Sequence, residues 1–406
     1  MSKEKKNYFF LFFIALVYFL ILFQQVRKNL QEPNTPPNNF LKNDSVSYMS
    51  LSGVMHKAVF GEIESNNIDD EQDLKKYDID LDYFSYDNQL KNPHRLPLYP
   101  IFLFISRALF GDNLISFGIV NCVIATLLLI LVFYGIQYIF GNYIVSFACV
   151  FAYCSNQFIY KNVTTDFLTE PLFVLLLFLV IINLIKFIRT DENKYLYLLS
   201  IISGLTLMLR PNGVILYFSA LFSIITYEVY IKKKIKEYKK YAFSFLLFLI
   251  ASFPVVAPKV YHFGNPFYFG YLSNFMWADT YEEANVFGST KYTALNYIKT
   301  HSLKDMGKRF LSGQKKVFFN SFKNQNDFLY PIYALGIVIC ILIKMIDLKI
   351  MTLFMYIQLL PMSWSAQANP TLRIPTAILY PFCFVYFSLF ILFFIKSLKQ
   401  FKINNQ

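Results

Sequence analysis

Long, uninterrupted apolar runs dominate this sequence, and several reach the length needed to cross a membrane. Three clear examples are residues 8–26, 117–139 and 374–395. A bilayer core requires about 20 apolar residues in helical form, because lipid offers no partner for bare backbone groups. Only 16% of the residues are charged, whereas about a quarter of the residues are charged in soluble proteins. The chain is therefore predicted to be an all-α integral membrane protein rather than a protein with a large soluble core.

The hydropathy pattern predicts about ten transmembrane helices in a single polytopic membrane domain, residues 1–406. The first run follows a basic start and is interpreted as a retained signal anchor, since no small-x-small cleavage site follows it. The five cysteines all lie in apolar runs and are interpreted as buried hydrophobic residues. The predicted spans are 8–26, 113–140, 143–158, 167–188, 195–209, 213–231, 241–257, 328–344, 348–364 and 374–395.

The distribution of charge predicts the orientation of these spans. If the N-terminus is cytoplasmic, the short loops near 186–194, 232–240 and 344–349 are cytoplasmic and basic, as the positive-inside rule requires. The first outer loop, 27–95, has eight Lys and Arg against twelve Asp and Glu, so its net charge is −4. Both termini are expected in the cytoplasm. The overall charge of +12 is explained by topology, and no nucleic-acid partner is expected.

Two long segments, 27–95 and 259–327, therefore face outward. The first is expected to contain a surface helix over 46–60, and a second surface helix is expected over 101–110. Asp44 precedes the first of these helices, where it could act either as a helix cap or in catalysis. In the second outer loop, aromatic residues near Asp279 either bind sugar, cover the site or anchor the loop at the interface.

Acidic and basic side chains recur at the predicted outer ends of the spans. Asp166 and Glu170 are four residues apart at the start of the fourth span, so they are expected on one helical face. Negative charge there also suits the positive end of the helix dipole. The arginines at the other outer positions, Arg95, Arg210 and Arg373, either reach lipid headgroups or bind a phosphate with two nitrogens.

In this order and spacing the motifs resemble the GT-C superfamily of membrane glycosyltransferases. The similarity is to the branch of protein O-mannosyltransferases and the bacterial aminoarabinose transferase of lipid A, and it covers most of the chain. It rests on Asp44…Tyr48, Arg95-Leu-Pro97-Leu-Tyr99-Pro100, Thr169-Glu170-Pro171-Leu172, Gly204…Arg210-Pro211 and Arg373-Ile-Pro375.

The resemblance implies transfer of a sugar from a polyprenyl- or dolichyl-phosphate donor to an acceptor hydroxyl outside the cytoplasm, with inversion. The acceptor would be a glycan, a lipid or a protein, and the enzyme would lie in a membrane such as the bacterial inner membrane, in contact with its lipids. The site residues it implies are the acids Asp44, Asp166 and Glu170, with Asp44 as general base, and the donor-phosphate ligands Arg95, Arg210 and Arg373.

A metal cofactor stays open at this point. Many relatives carry two adjacent acids after the first span, whereas this chain has Asn43-Asp44-Ser45. A divalent metal ion is therefore a possible but unassigned cofactor, and its ligands are unknown.

Two other functions fit a chain with this many spans. An O-antigen or capsule polymerase also combines many spans with large outer loops, but it is not expected to carry this motif series. A flippase or transporter of lipid-linked sugars is expected to have polar residues through the depth of the membrane, and no charged residue lies near the middle of any predicted span.

Overall fold

The structure is a computed structural model. It describes residues 3–31, 96–111, 114–233, 238–266, 274–284, 292–321, 330–366 and 373–404, and also positions 48, 49, 51–53, 55 and 59. Within these residues every regular element is a helix, so the prediction of an all-α membrane protein is confirmed. The described positions within 46–60 are all helical.

Sixteen helices form the part of the chain that the structure describes. The first half contains α1 (Lys3–Gln31), α2 (Leu98–Phe110), α3 (Leu114–Phe140), α4 (Tyr143–Cys154), α5 (Gln157–Thr164), α6 (Glu170–Thr190), α7 (Asn193–Leu209) and α8 (Asn212–Thr226). The second half contains α9 (Tyr238–Phe263), α10 (Asn274–Trp277), α11 (Tyr281–Ala284), α12 (Ala294–Thr300), α13 (Leu303–Lys315), α14 (Tyr330–Leu342), α15 (Ile346–Ser365) and α16 (Arg373–Asn404). Short π-helical turns extend α8 to Ile231 and α13 to Asn320.

A helix lies in each of the ten predicted spans. Among the described residues, seven helices are long and apolar enough to cross a membrane, and α4 with α5 forms an eighth candidate that bends by 50°. Two others, α7 and α14, are apolar but shorter. The number of crossings therefore stays a prediction.

The segment 159–166 connects two predicted spans, 143–158 and 167–188, and is therefore expected to be a short outer loop, but it is largely helical. The chain leaves α4 at Ser155 and begins α5 at once, because the Asn156 side chain accepts a hydrogen bond from the backbone N–H of Phe158 at 2.9 Å. An N-cap of this kind satisfies a backbone donor that a new helix would otherwise leave free. The second predicted outer loop, 259–327, likewise contains helices, of which α12 and α13 are the longest.

Helix α6 is the centre of the bundle. It packs against α3, α5, α7, α8, α15 and α16, and 83% of its most apolar window is buried inside the protein. By contrast, only 28% of the equivalent window of α1 is buried. Phe9, Phe12 and Phe13 of α1 are more than half exposed, which is the pattern of a helix that faces lipid. Glu170, the first residue of α6, is buried as well.

Candidate functional site

The beginning of α6, the end of α7 and the beginning of α16 meet at one end of the bundle. Glu170 is the first residue of α6, and its side chain has no exposed surface. Its Oε1 atom lies 2.8 Å from Nη2 of Arg210 and 2.5 Å from Nε of Arg373. One carboxylate oxygen is therefore paired with two guanidinium groups from two different helix ends.

Thr169, the residue before Glu170, fixes the orientation of Arg210. Its Oγ1 accepts a hydrogen bond from Nε of Arg210 at 2.8 Å and a second, shorter one from Nη2. The guanidinium also lies over the ring of Phe173, 5.8 Å from the ring centre. Arg210 is 7% exposed, whereas 34% of the Arg373 side chain is exposed. Arg210 is thus held rigidly inside the protein, and Arg373 forms the accessible side of the cluster.

The chain reverses immediately after Arg210, and a glycine makes this possible. The backbone N–H of Gly213 donates to the carbonyl of Arg210 at 3.0 Å and closes the turn into α8. A Cβ atom at Gly213 would lie 2.2 Å from the backbone nitrogen of Leu207. No larger residue fits there without moving the end of α7, so this glycine sets the position of Arg210.

The charges of the cluster do not cancel. We call Thr169, Glu170, Arg210 and Arg373 the Glu170 cluster. Two guanidinium groups face a single carboxylate, so these side chains carry a net charge of about +1, since arginine stays protonated in proteins. Neither carboxylate oxygen of Glu170 makes a hydrogen bond, so the two contacts of Oε1 are ion pairs. Planar, fork-shaped guanidinium donors at such a site are suited to an anion such as a phosphate.

Tyr99, from α2, supports the loop before α6. Its hydroxyl lies 3.0 Å from Oδ1 of Asn121 and 3.2 Å from the carbonyl oxygen of Phe167, and both can accept its proton. Its ring meets the ring of Tyr48 edge to face at 5.2 Å. Burial, with a smaller contribution from Glu170, raises the pKa of Tyr99, so its hydroxyl stays a neutral donor.

Asp166 does not share a helical face with Glu170, so this part of the prediction is wrong. The helix begins only at Glu170, and Asp166 lies in the preceding loop. Phe167 adopts a left-handed backbone conformation with φ of +44°, which interrupts helical geometry between the two acids. Asp166 is buried, and its backbone N–H donates to the carbonyl of Lys161 at 3.1 Å.

Of the six residues named from sequence, the structure brings together Glu170, Arg210 and Arg373. Asp44 and Arg95 lie outside the described residues. The sequence reasoning gave no role to Thr169 or Tyr99, although both stand inside motifs that carried the resemblance. The feature of the sequence that could have indicated a role for Thr169 is its hydroxyl group directly before the acid Glu170. No group of three or more His, Cys, Asp or Glu suited to a metal occurs among the residues that the structure describes.

Comparison with known families bears directly on this end of the bundle. Residues 91–257 match the family described as dolichyl-phosphate-mannose-protein mannosyltransferase. The resemblance to membrane glycosyltransferases is confirmed. The match implies a membrane glycosyltransferase that uses a dolichyl-phosphate sugar donor. Among the site residues it includes Arg95, Asp166, Glu170 and Arg210, and it ends before Arg373. No curated protein and no solved structure matches the chain.

Proposed function

We propose that this protein transfers a sugar from a polyprenyl-phosphate donor to an acceptor hydroxyl on the non-cytoplasmic side of the membrane. The observation that carries this proposal is the pairing of Arg210 and Arg373 with one buried carboxylate, Glu170. The family match supplies the chemical class of the donor. The Glu170 cluster supplies a place for the phosphate of that donor, at an end of the bundle where a lipid in the membrane can reach it.

The leaving group explains why two arginines are needed. When the bond between sugar and phosphate breaks, negative charge grows on the phosphate oxygens and must be stabilised. Preformed cations in a water-poor site do this without reorganisation, and Arg210 is already fixed by Thr169 and Glu170. Arg373, which is more exposed, is the first group that an incoming phosphate would meet.

Removing one arginine should therefore slow transfer. We expect Arg373→Ala to lose about 1–3 kcal/mol of transition-state stabilisation, the range for hydrogen bonds to charged groups. This corresponds to a decrease of roughly 5- to 150-fold in kcat/KM. Arg210→Lys should recover only part of the wild-type rate, because an ammonium cannot contact Thr169 and Glu170 in the same fork geometry. The measurement is transfer from a labelled polyprenyl-phosphate sugar by purified protein.

The matched control removes a cation at the other end of the bundle. Lys349 is exposed at the beginning of α15, so Lys349→Ala should keep wild-type transfer. Wild-type kinetics in both Arg373→Ala and Arg210→Lys would mean that these arginines only contact lipid headgroups or support the fold.

We further propose that Asp44 is the general base and that the sugar is transferred with inversion. A base must take the acceptor proton as the hydroxyl attacks the anomeric carbon from the side opposite the phosphate. Asp44 shortly precedes Tyr48, whose ring contacts Tyr99 beside the Glu170 cluster. Asp166, buried in the loop before α6, is the second candidate.

Replacing Asp44 with asparagine distinguishes a base from a helix cap. Asparagine caps helices about as well as aspartate, so a cap should survive Asp44→Asn. A base should not, because an amide does not accept the proton, and removing a general base costs about 10²- to 10⁴-fold in rate. We expect Asp44→Asn to bind the donor and transfer almost no sugar. More than about a tenth of wild-type turnover would reject Asp44 and lead to the same substitution at Asp166.

The charge at the opposite end of the bundle supports an outward-facing site. Many of the described cations lie in or beside the short connections near the end of α6 away from Glu170. They are Lys186, Arg189, Lys194, Lys232, Lys233, Lys239, Lys344 and Lys349. Basic residues in short loops stay in the cytoplasm. We therefore place both termini in the cytoplasm and the Glu170 cluster outside, in a membrane such as the bacterial inner membrane.

Labelling of single cysteines tests this orientation in the full-length chain. Lys233 and Glu282 are both exposed and lie in segments predicted to face opposite sides. In intact cells, a membrane-impermeant maleimide should label Glu282→Cys, and it should label Lys233→Cys only after permeabilisation. The unmodified chain, whose cysteines are buried or half-buried, is the background control. The reverse labelling pattern would put the Glu170 cluster in the cytoplasm and reject the proposed sidedness.

A further inference from the structure

A second polar site lies near the Glu170 cluster, where α13 packs against the end of α15. The two helices touch at Gly313, where a Cβ atom would lie 1.7 Å from the carbonyl oxygen of Ser363. One residue earlier, Met362 contacts the side chain of Asn212 at 3.7 Å. Asn212 is two residues beyond Arg210. The second site therefore lies at the same end of the bundle, joined to the Glu170 cluster through the end of α15.

Arg309 forms the closed side of this second site. Its Nη1 atom lies 3.0 Å from Oδ1 of Asp279, and its other nitrogens donate to backbone carbonyls, including those of Trp364 at 3.0 Å and Ala278 at 2.8 Å. Its guanidinium also lies 4.8 Å from the ring centre of Tyr297. Arg309 is 5% exposed, so it serves to join the segments rather than to bind a ligand.

The second oxygen of Asp279 begins the open side. It lies 3.0 Å from Nε2 of His301, and the His301 ring stacks on Tyr297 with 3.9 Å between ring centres. Asp279 and His301 keep 41% and 25% of their side-chain surfaces exposed. Both His301 nitrogens already have partners, Nε2 in Asp279 and Nδ1 in the carbonyl of Tyr297, so His301 fixes the carboxylate. The remaining lone pairs of the accessible Asp279 carboxylate are suited to accepting hydrogen bonds from sugar hydroxyl groups.

The facing wall carries two lysines and one acid, Asp305, which lies three residues before Lys308. Lys308, Ser312 and Lys316 follow each other at intervals of four residues, so they line one face of α13 and its π-helical extension. All three are exposed, and within the described part of the chain none makes a hydrogen bond or ion pair. Two ammonium groups with a hydroxyl between them therefore face the cavity without a bonded partner.

The cavity between these walls measures about 570 Å³. We call it the lysine pocket and define it by Asp279, His301, Lys308, Ser312 and Lys316, which all line it. Small-molecule sites typically measure about 300–1,000 Å³, so it has room for one or two sugar units. Asp279 lies on one wall, and Lys308 and Lys316 lie with Asp305 on the other.

We propose that the lysine pocket binds the acceptor and that the acceptor is a saccharide carrying a phosphate group. Asp279, held by His301, would accept hydrogen bonds from its hydroxyls, and Lys308 and Lys316 would bind its phosphate, for which lysine is a good point charge. The term acceptor rests on the proposed transfer reaction. Binding of a phosphorylated saccharide rests on the pocket alone and is tested separately.

The chain carries its own fluorescent reporter for this pocket. It has two tryptophans, and the rings of both Trp277 and Trp364 contact Tyr297, at 6.1 and 5.7 Å between ring centres. Tyr297 lines the cavity and stacks on His301. Tryptophan emission of the purified full-length protein in detergent therefore responds to binding here without a labelled probe.

The experiment titrates the protein with three classes of probe. These are the 1-phosphates of glucose, galactose and mannose, the corresponding free hexoses, and inorganic phosphate. We expect a saturable change in tryptophan emission with at least one hexose 1-phosphate, at a lower concentration than with its hexose or with phosphate. Lys308→Ala/Lys316→Ala should raise the half-saturating concentration by about tenfold or more, as expected for lost charged hydrogen bonds. Lys233→Ala/Lys349→Ala removes the same charge at the other end of the bundle and should leave it unchanged.

The outcomes separate this inference from the proposed reaction. Arg373→Ala, which should impair transfer, should leave the titration unchanged. No response to any hexose 1-phosphate, an equal response to inorganic phosphate, or equal weakening by both lysine pairs would overturn the assignment. A protein that binds hexose 1-phosphate through Lys308 and Lys316 but transfers no sugar would keep the pocket and reject the reaction.

Discussion

The ion pairs of Glu170 hold together the ends of three helices on which the candidate site depends. Taking a carboxylate out of water costs several kcal/mol, and a single arginine compensates for this only when the geometry is favourable. Here Arg210 and Arg373 both contact Oε1, and Thr169 orients Arg210. The Glu170 side chain has no exposed surface, so these cations compensate its charge inside the protein. The ends of α7 and α16 are therefore tied to the beginning of α6.

The two ends of the bundle use buried charge differently. At the end away from Glu170, Arg189 pairs with Asp347 at 2.7 Å and also donates to the carbonyls of Tyr138 and Ile139. Lys240 pairs with Glu228, and the side chains of both residues are buried. In these pairs each cation has one acid, so the charges balance. At the Glu170 end two arginines contact the same carboxylate oxygen of one acid.

Much of this could be predicted from the sequence, because lipid imposes a simple rule on apolar runs. Helices occur at all ten predicted spans, and three of the six predicted site residues meet in one cluster. Local backbone geometry escaped prediction: the left-handed conformation of Phe167 moves Asp166 off α6, and the Asn156 cap starts a helix where a loop was expected. The lysine pocket depends on contacts between distant segments, such as Arg309 with Asp279 and Trp364, which hydropathy does not encode.

The central claim is that Glu170 is a buried charge on which two arginines depend, and the free energy of unfolding of Glu170→Gln tests it most directly. Glutamine keeps the shape but removes the charge, so both guanidinium groups lose their shared partner. Breaking a buried ion pair costs about 3–5 kcal/mol, and we expect a loss of this size in denaturant titrations of the protein in detergent. Glu192→Gln disrupts the exposed pair with Lys194 and should change little. If Glu170→Gln also costs less than about 1 kcal/mol, as a surface pair does, the Glu170 cluster does not organise this end of the protein.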